Sequence, residues 1–194
     1  MKMFEAIGDA TGDIAALVYG PADRPDTILC AFARQLADAG RRVCGLVQLR
    51  EEDTGGTAGR VMVLDRWQIV NVASNRPPTG GASCRLDPEW LDRMGREATT
   101  TIRRGVDAVV VNRFGPLEEA GRGFCDAIIA ASETETPLIV AVPEFEFERW
   151  TRFSNGMAVR FDCNLVSALD WWQRVWNPAR VEKATKGIAR VPIR

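Results

Sequence analysis

Short runs of consecutive apolar residues, bounded by glycine, proline and charge, recur along the chain. IAALVY (14–19) ends at Gly-Pro, and RVCGLVQL (42–49), DAVVVN (107–112) and PLIVAV (137–142) share its character. Runs this short and continuous predict strands buried on both faces. Between the first two the period changes. Ile28, Phe32, Leu36 and Ala39 recur every three or four residues, Asp26 or Thr27 is placed to cap that helix, and Gly40 to stop it. Strand, helix and strand in such close succession form a βαβ unit with a right-handed crossover.

Other segments depart from this alternation. RVMVLD and WQIVNV, joined around Asp65-Arg66, predict an inserted antiparallel hairpin. EEDTGGTAG (51–59) and ASNRPPTGGASCRLD (73–87) read as loops, and a loop as long as the second is usually functional or mobile. Asp87 and Pro88 open a helix that runs to about Arg104. FGPLEEAGRGFCDAIIAA predicts a loop and one helix starting at Pro116, with Gly121 and Gly123 inside its first turns. EFEFERW is short and irregular or amphipathic, MAVRFD (157–162) an edge strand, and LVSALDWWQRVW (165–176) a closing helix. The expected architecture is a three-layer α/β domain over residues 1–176, with a mainly parallel sheet, followed by a basic arm at 177–194. Trp171, Trp172 and Trp176 share the closing helix, where one face is core and a second would mark a homodimer or protein-partner contact.

Composition narrows the chemistry. The chain has 194 residues, a net charge of -1 and no histidine. Near-neutral charge gives no electrostatic case for nucleic acid or an anionic membrane. The absence of histidine removes imidazole bases, Ser-His triads and His-ligated metal sites. The five cysteines are scattered without a C-x-x-C pair, and they read as small core residues of a reducing compartment. Cys84 lies beside Arg85, which favours a thiolate, but no histidine stands by to act as its base. With no signal-like N-terminus and no apolar run near the roughly 18 residues of a membrane span, a cytoplasmic protein is expected.

Candidate chemistry gathers where the parallel strands should end, because ligands of open α/β sheets bind outside the carboxyl edge. GPADRPDT (20–27) follows the first strand at the place of a phosphate-binding loop, with Gly20 opening it. The spacing G-x-x-x-x-G-K-[ST] then puts Pro25 at the second glycine, Asp26 at the lysine and Thr27 at the hydroxyl. A carboxylate where triphosphate charge gathers, and a proline that removes a donor, argue against ordinary nucleotide binding. Thr27 has two readings, a helix cap and a ligand donor. Asn112 ends the third strand, where hydrolytic nucleotide-binding proteins often place Asp to manage magnesium, so catalysis looks weakened there too. Arg24, Arg76, Arg85, Arg113 and Arg122 lie in the edge loops, where guanidinium groups and helix N-termini would together receive negative oxygen. The competing reading pairs them with Asp26, Asp87, Glu118 and Glu119. They meet in space if strands one and three lie side by side.

The segments from IAALVYGPADRPDTILCAF onward, GASCRLDPEWL and VNRFGPLEEAGRGF together resemble an uncharacterised bacterial family classed as a domain of unknown function. The resemblance spans roughly 14–176 and implies a role in molybdenum handling, because such proteins are often encoded near molybdate-uptake genes. More distantly, the layout is similar to small nucleoside-triphosphatases, whose second motif has a glycine and a glutamate spaced as Gly115 and Glu118 are. It implies a P-loop-NTPase-like fold with a degenerate phosphate loop, and Asp26 puts hydrolysis in doubt. The expected function is binding of a small oxyanion or phosphorylated ligand by Gly20, Arg24, Thr27, Arg85, Asn112, Arg113 and Arg122, with Glu118 orienting an arginine. A divergent nucleoside-triphosphatase and a partner-binding protein are the alternatives. No catalytic residue and no metal is assigned.

Overall fold

The computed structural model describes residues 12–50, 57–72 and 86–176. Arg76, Cys84, Arg85, nearly all of the 73–87 segment and the 177–194 arm therefore lie outside the described residues.

Seven strands form one sheet: β1 (Ile14–Tyr19), β2 (Val43–Arg50), β3 (Thr57–Val63), β4 (Gln68–Asn71), β5 (Ala108–Val111), β6 (Leu138–Pro143) and β7 (Val159–Asp162). Their order is β4-β3-β2-β5-β6-β1-β7. The five strands from β2 to β7 in that order are mutually parallel, and β3 and β4 continue from β2 as an antiparallel hairpin extension. The helices are α1 (Pro25–Asp38), α2 (Pro88–Arg103), α3 (Pro116–Glu119), α4 (Cys125–Glu133), α5 (Phe147–Phe153) and α6 (Leu165–Val175). Among the described residues no helix is long and apolar enough to cross a membrane.

Side-chain alternation along the buried strands creates the three layers. Ala15 and Leu17 of β1, Val110 of β5 and Ile139 and Ala141 of β6 pack under α1 and α6, with Leu29, Phe32, Leu36, Trp171 and Trp172. Ala16 and Val18, Val109 and Val111, and Val140 and Val142 pack on the opposite face with Leu91, Met94, Ala98, Ile102, Ile128 and Trp150. The tryptophans of α6 thus belong to the core: Trp171 and Trp172 close on Phe32 at ring distances of 6.4 and 6.3 Å, and Trp176 is half-buried with the Arg41 guanidinium 3.8 Å over its ring. This corrects the expectation of an aromatic docking face on that helix, because packing on α1 consumes it.

Helix termini confirm some expectations and correct others. Asp87 caps α2 through its carboxylate, which accepts from Glu89 N–H at 2.8 Å and Trp90 N–H at 3.2 Å. At α1 the cap position is Arg24, without a side-chain hydrogen bond, and Pro25 occupies the first turn, so neither Asp26 nor Thr27 is the cap. The single helix read over 116–131 is two. The chain breaks between α3 and α4 at Gly121 and Gly123, both left-handed with φ of 75° and 58°, a conformation that interrupts an α-helix.

Glycine is indispensable at one point of the sheet. Gly45 of β2 has φ of 126°, and a Cβ there would overlap the Val110 carbonyl on β5. Gly40 also has a left-handed φ, 75°, but faces open space. Gly40→Ala should therefore cost about 1 kcal/mol, the conformational penalty alone. Gly45→Ala adds a backbone clash between central strands and should cost roughly 3 kcal/mol or more. Chemical denaturation of the two variants checks this, and equal losses would contradict the close approach.

Candidate functional site

The parallel strands all end at one edge, and the loops leaving β1 and β5 meet there although β6 lies between them. The strand register explains how. Ala141 of β6 lies level with Leu17 of β1 and one residue beyond Val140, the partner of Val111 on β5. At this level β6 adds only a methyl to the α1 face. Adjacency of strands one and three, posed as the condition for their loops to meet, is not required.

The meeting place is a cavity of about 70 Å³ lined by Tyr19, Gly20, Pro21, Asp23, Pro25, Asp26, Gln48, Asn112 and Arg113. Asn112 is 7% exposed and its side-chain Oδ1 has no hydrogen-bond partner. The Nε of Arg113 is likewise buried and unpartnered. The Arg113 guanidinium stands 5.9 Å over the Tyr19 ring, which steadies the cation across β6. An unpaired buried donor is costly, and Arg113, which carries one, is also among the residues lining this polar cavity. Pro25 and Asp26 bring the first turn of α1, with its positive end, to the same space.

The first loop already carries an internal anion. Asp23 Oδ2 accepts from Gly20 N–H at 2.7 Å, and Asp23 N–H donates back to the Gly20 carbonyl at 3.2 Å. With Asp26 beside it, the lining holds two carboxylates against one guanidinium.

Of the anticipated site residues, the cavity collects Gly20, Asn112 and Arg113. Arg24 and Thr27 are exposed on the loop and on α1, and neither lines it. Arg122 is used elsewhere: its Nε and Nη2 donate to Asp92 Oδ2 of α2 at 3.1 and 2.6 Å. The Gly123 N–H donates to Asp92 Oδ1 at 2.7 Å. That amide first, and the guanidinium second, hold the Asp92 carboxyl below the usual range. Arg122 thereby fastens the α3–α4 turn to α2 instead of facing the cavity. Tyr19, Asp23 and Gln48 were not anticipated. Two signals were available for them: Tyr19 is the chain's one tyrosine and ends a strand, and Gln48 is the polar member of an otherwise apolar run.

Glu118 does not orient an arginine. It is 7% exposed, and its carboxylate accepts from Gly115 N–H at 3.1 Å and Phe124 N–H at 3.2 Å. Burial pushes this carboxyl up to about 7, against the lowering effect of those amides. The close packing also explains Gly123, because a Cβ there would run into Glu118 Oε1. Burial raises the thiols as well: Cys30, Cys125 and Cys163 to about 11, and Cys44 to about 12. These four are protonated at neutral pH and supply no nucleophile.

The chain belongs to the family described as Protein of unknown function (DUF2478), whose model matches residues 14–171. It is 33% identical over 161 residues to the Molybdenum import ATP-binding protein ModC 2 of Bradyrhizobium diazoefficiens. That alignment takes in 82% of this chain and 18% of the relative, so the chain spans less than a fifth of the relative's length. Among solved structures, THEP1 from the hyperthermophile Aquifex aeolicus is similar with a TM-score of 0.48 at 12% identity, covering 90% of this chain and 95% of that one.

Glu118 gives stability a definite pH dependence. Its carboxyl titrates near 7 when folded and near 4.5 when unfolded. The folded state thus holds its proton longer, and the associated stability is complete below about 4.5 and lost as pH rises through about 7. The loss is on the order of 3 kcal/mol. Glu118→Gln should flatten this part of the curve in urea denaturation at a series of pH values. An unchanged curve would show that Glu118 titrates normally.

Proposed function

We propose that the cavity between the β1 and β5 loops binds a small tetrahedral oxyanion, in a cytoplasmic protein without intact nucleotide hydrolysis. The observation that carries this reading is the Arg113 guanidinium, which belongs to a residue lining a polar cavity beside the N-terminus of α1. A guanidinium presents paired N–H donors to an oxyanion, and the α1 dipole adds to them.

Size and charge select the class of ligand. The volume of about 70 Å³ admits about five water-sized atoms, the scale of a central atom with four oxygens. A nucleotide requires a pocket of roughly 300–1,000 Å³. The two carboxylates of Asp23 and Asp26 also oppose the accumulated charge of a triphosphate far more than that of a dianion. On binding, a ligand oxygen replaces Asp23 as acceptor of the Gly20 N–H, so Asp23 competes with the ligand and sets its affinity. Molybdate is the candidate dianion, because the curated relative is named for molybdenum import. Arg24, Thr27, Arg85 and Arg122 are not needed in this arrangement.

The same relative's name includes ATP binding, which supports nucleotide binding as a second reading. Under it, Mg-ATP or Mg-GTP stabilises the protein and Thr27→Ala removes the effect.

Thermal-shift measurements with molybdate, tungstate, sulfate, phosphate and Mg-nucleotides separate the two. A ligand at 100 times its Kd adds about 2.7 kcal/mol. Molybdate or tungstate should produce the shift, Arg113→Ala should abolish it, and Asp23→Asn should tighten binding about tenfold by removing one like charge. A response to nucleotide alone would replace the oxyanion reading, and unchanged affinity in Arg113→Ala would refute the placement.

A further inference from the structure

The segment that carries Asn112 and Arg113 is held from behind. Phe114 N–H donates to the Ala141 carbonyl at 3.0 Å, and the Phe114 ring packs 5.1 Å from both Trp150 and Phe153. Beyond Phe114 the chain depends on α3, which has only four residues and little stability of its own. Asp92 ties the far end of this stretch to α2 through Arg122 and the Gly123 N–H, and the Glu118 carboxylate ties its two ends to each other. The Glu118 carboxylate accepts the N–H of Gly115, two residues from Arg113, with one oxygen and the N–H of Phe124, at the start of α4, with the other.

We propose that Glu118 is a positioning residue, whose carboxylate clasps both ends of the 115–124 loop and thereby fixes Arg113 and Asn112 at the cavity wall. Only the ligand-binding part of this inference rests on the oxyanion reading above.

Among the described residues, the charged groups around Glu118 leave it without a cation. From α2 it meets the negative field of Asp92, whose own partner is Arg122. From α4 it faces the Cys125 thiol, which burial keeps protonated. On α5, Arg149 is engaged with Glu119 at 3.9 Å and Glu146 at 3.2 Å. Glu118 is therefore satisfied by backbone amides alone, each requiring an acceptor oxygen. Protonation converts one oxygen into a donor and weakens one of the two bonds. The clasp is consequently tight when Glu118 is ionised and loose when it is protonated, and site geometry follows a residue that never touches the ligand.

The test is calorimetric titration of the full chain with molybdate, a stable dianion between about pH 6 and pH 8, the range spanning this group. Wild-type affinity should weaken as pH falls through that range, by up to about tenfold per unit for one linked proton. Glu118→Gln, which keeps one acceptor oxygen, should bind weakly with little pH dependence, whereas a wild-type slope in this variant overturns the proposal. Amide hydrogen exchange of the ligand-free protein supplies the independent measurement. Protection of the Gly115 and Phe124 amides, corrected for intrinsic rate, should rise with pH in the wild type and not in Glu118→Gln. If molybdate fails to bind the wild type while this protection behaves as stated, the oxyanion reading falls and the clasp stands. If protection is identical in both proteins at every pH, the clasp falls whatever the cavity binds.

Discussion

The position of β6 between β1 and β5 governs the whole carboxyl edge. Across this strand the Arg113 guanidinium lies over the Tyr19 ring, and Asn112 lines the cavity together with the turn that follows β1. The same strand anchors the departing chain through the Ala141 carbonyl, which accepts from Phe114 N–H. The backbone of β6 thus holds the chain that leaves β5 just beyond Arg113. The close contact of Gly45 with Val110 serves the sheet in a similar way, since β2 must lie tightly on β5 for Gln48 to complete the lining.

Within this frame the β1 loop is self-occupied. A loop in which backbone amides await an anion is open to any phosphate, and here one of those amides is already bonded to Asp23. Under the proposed oxyanion reading, binding would be an exchange of one acceptor for another, with net gain coming from the contact Asp23 does not make, that to Arg113. An exchange of that kind selects by geometry as well as by charge, because a ligand that reaches Gly20 but not Arg113 gains nothing over the internal carboxylate.

The fold was legible from sequence where local pattern decides it. Continuous apolar runs located β1, β2, β5 and β6 to within a residue or two, and Asp87-Pro88 marked the start of α2, because burial on two faces and capping are encoded in consecutive residues. The break between α3 and α4 was missed, although Gly121 and Gly123 were noticed, since the turn packs through Gly123 against α2 and Glu118, contacts that no local pattern announces. Arg122 was misassigned for the same reason. Its partner Asp92 lies 30 residues away in sequence, and nothing local distinguishes a guanidinium committed to a neighbouring helix from one facing a ligand. The tryptophans of α6 illustrate the limit again, because an aromatic-rich helix reads alike whether it packs on α1 or on another molecule. Among the described candidates, Gly20, Asn112 and Arg113, which line the cavity, sit directly at strand ends, where topology alone determines direction.

Glu118 shows how stability and organisation separate in this protein. Ionised, it costs the folded state free energy, because backbone amides, with no cation among the described residues, do not offset its burial. A glutamine at this position would avoid that cost but could offer only one acceptor oxygen to two amides that need two. The carboxylate is the smallest group that satisfies Gly115 and Phe124 at once, and Gly123 has no side chain to obstruct it. The loop is therefore held by the form of Glu118 that is worse for global stability. That opposition is coherent only if holding the loop matters more than the stability lost, and the residues the proposed clasp would position, Asn112 and Arg113, both line the cavity.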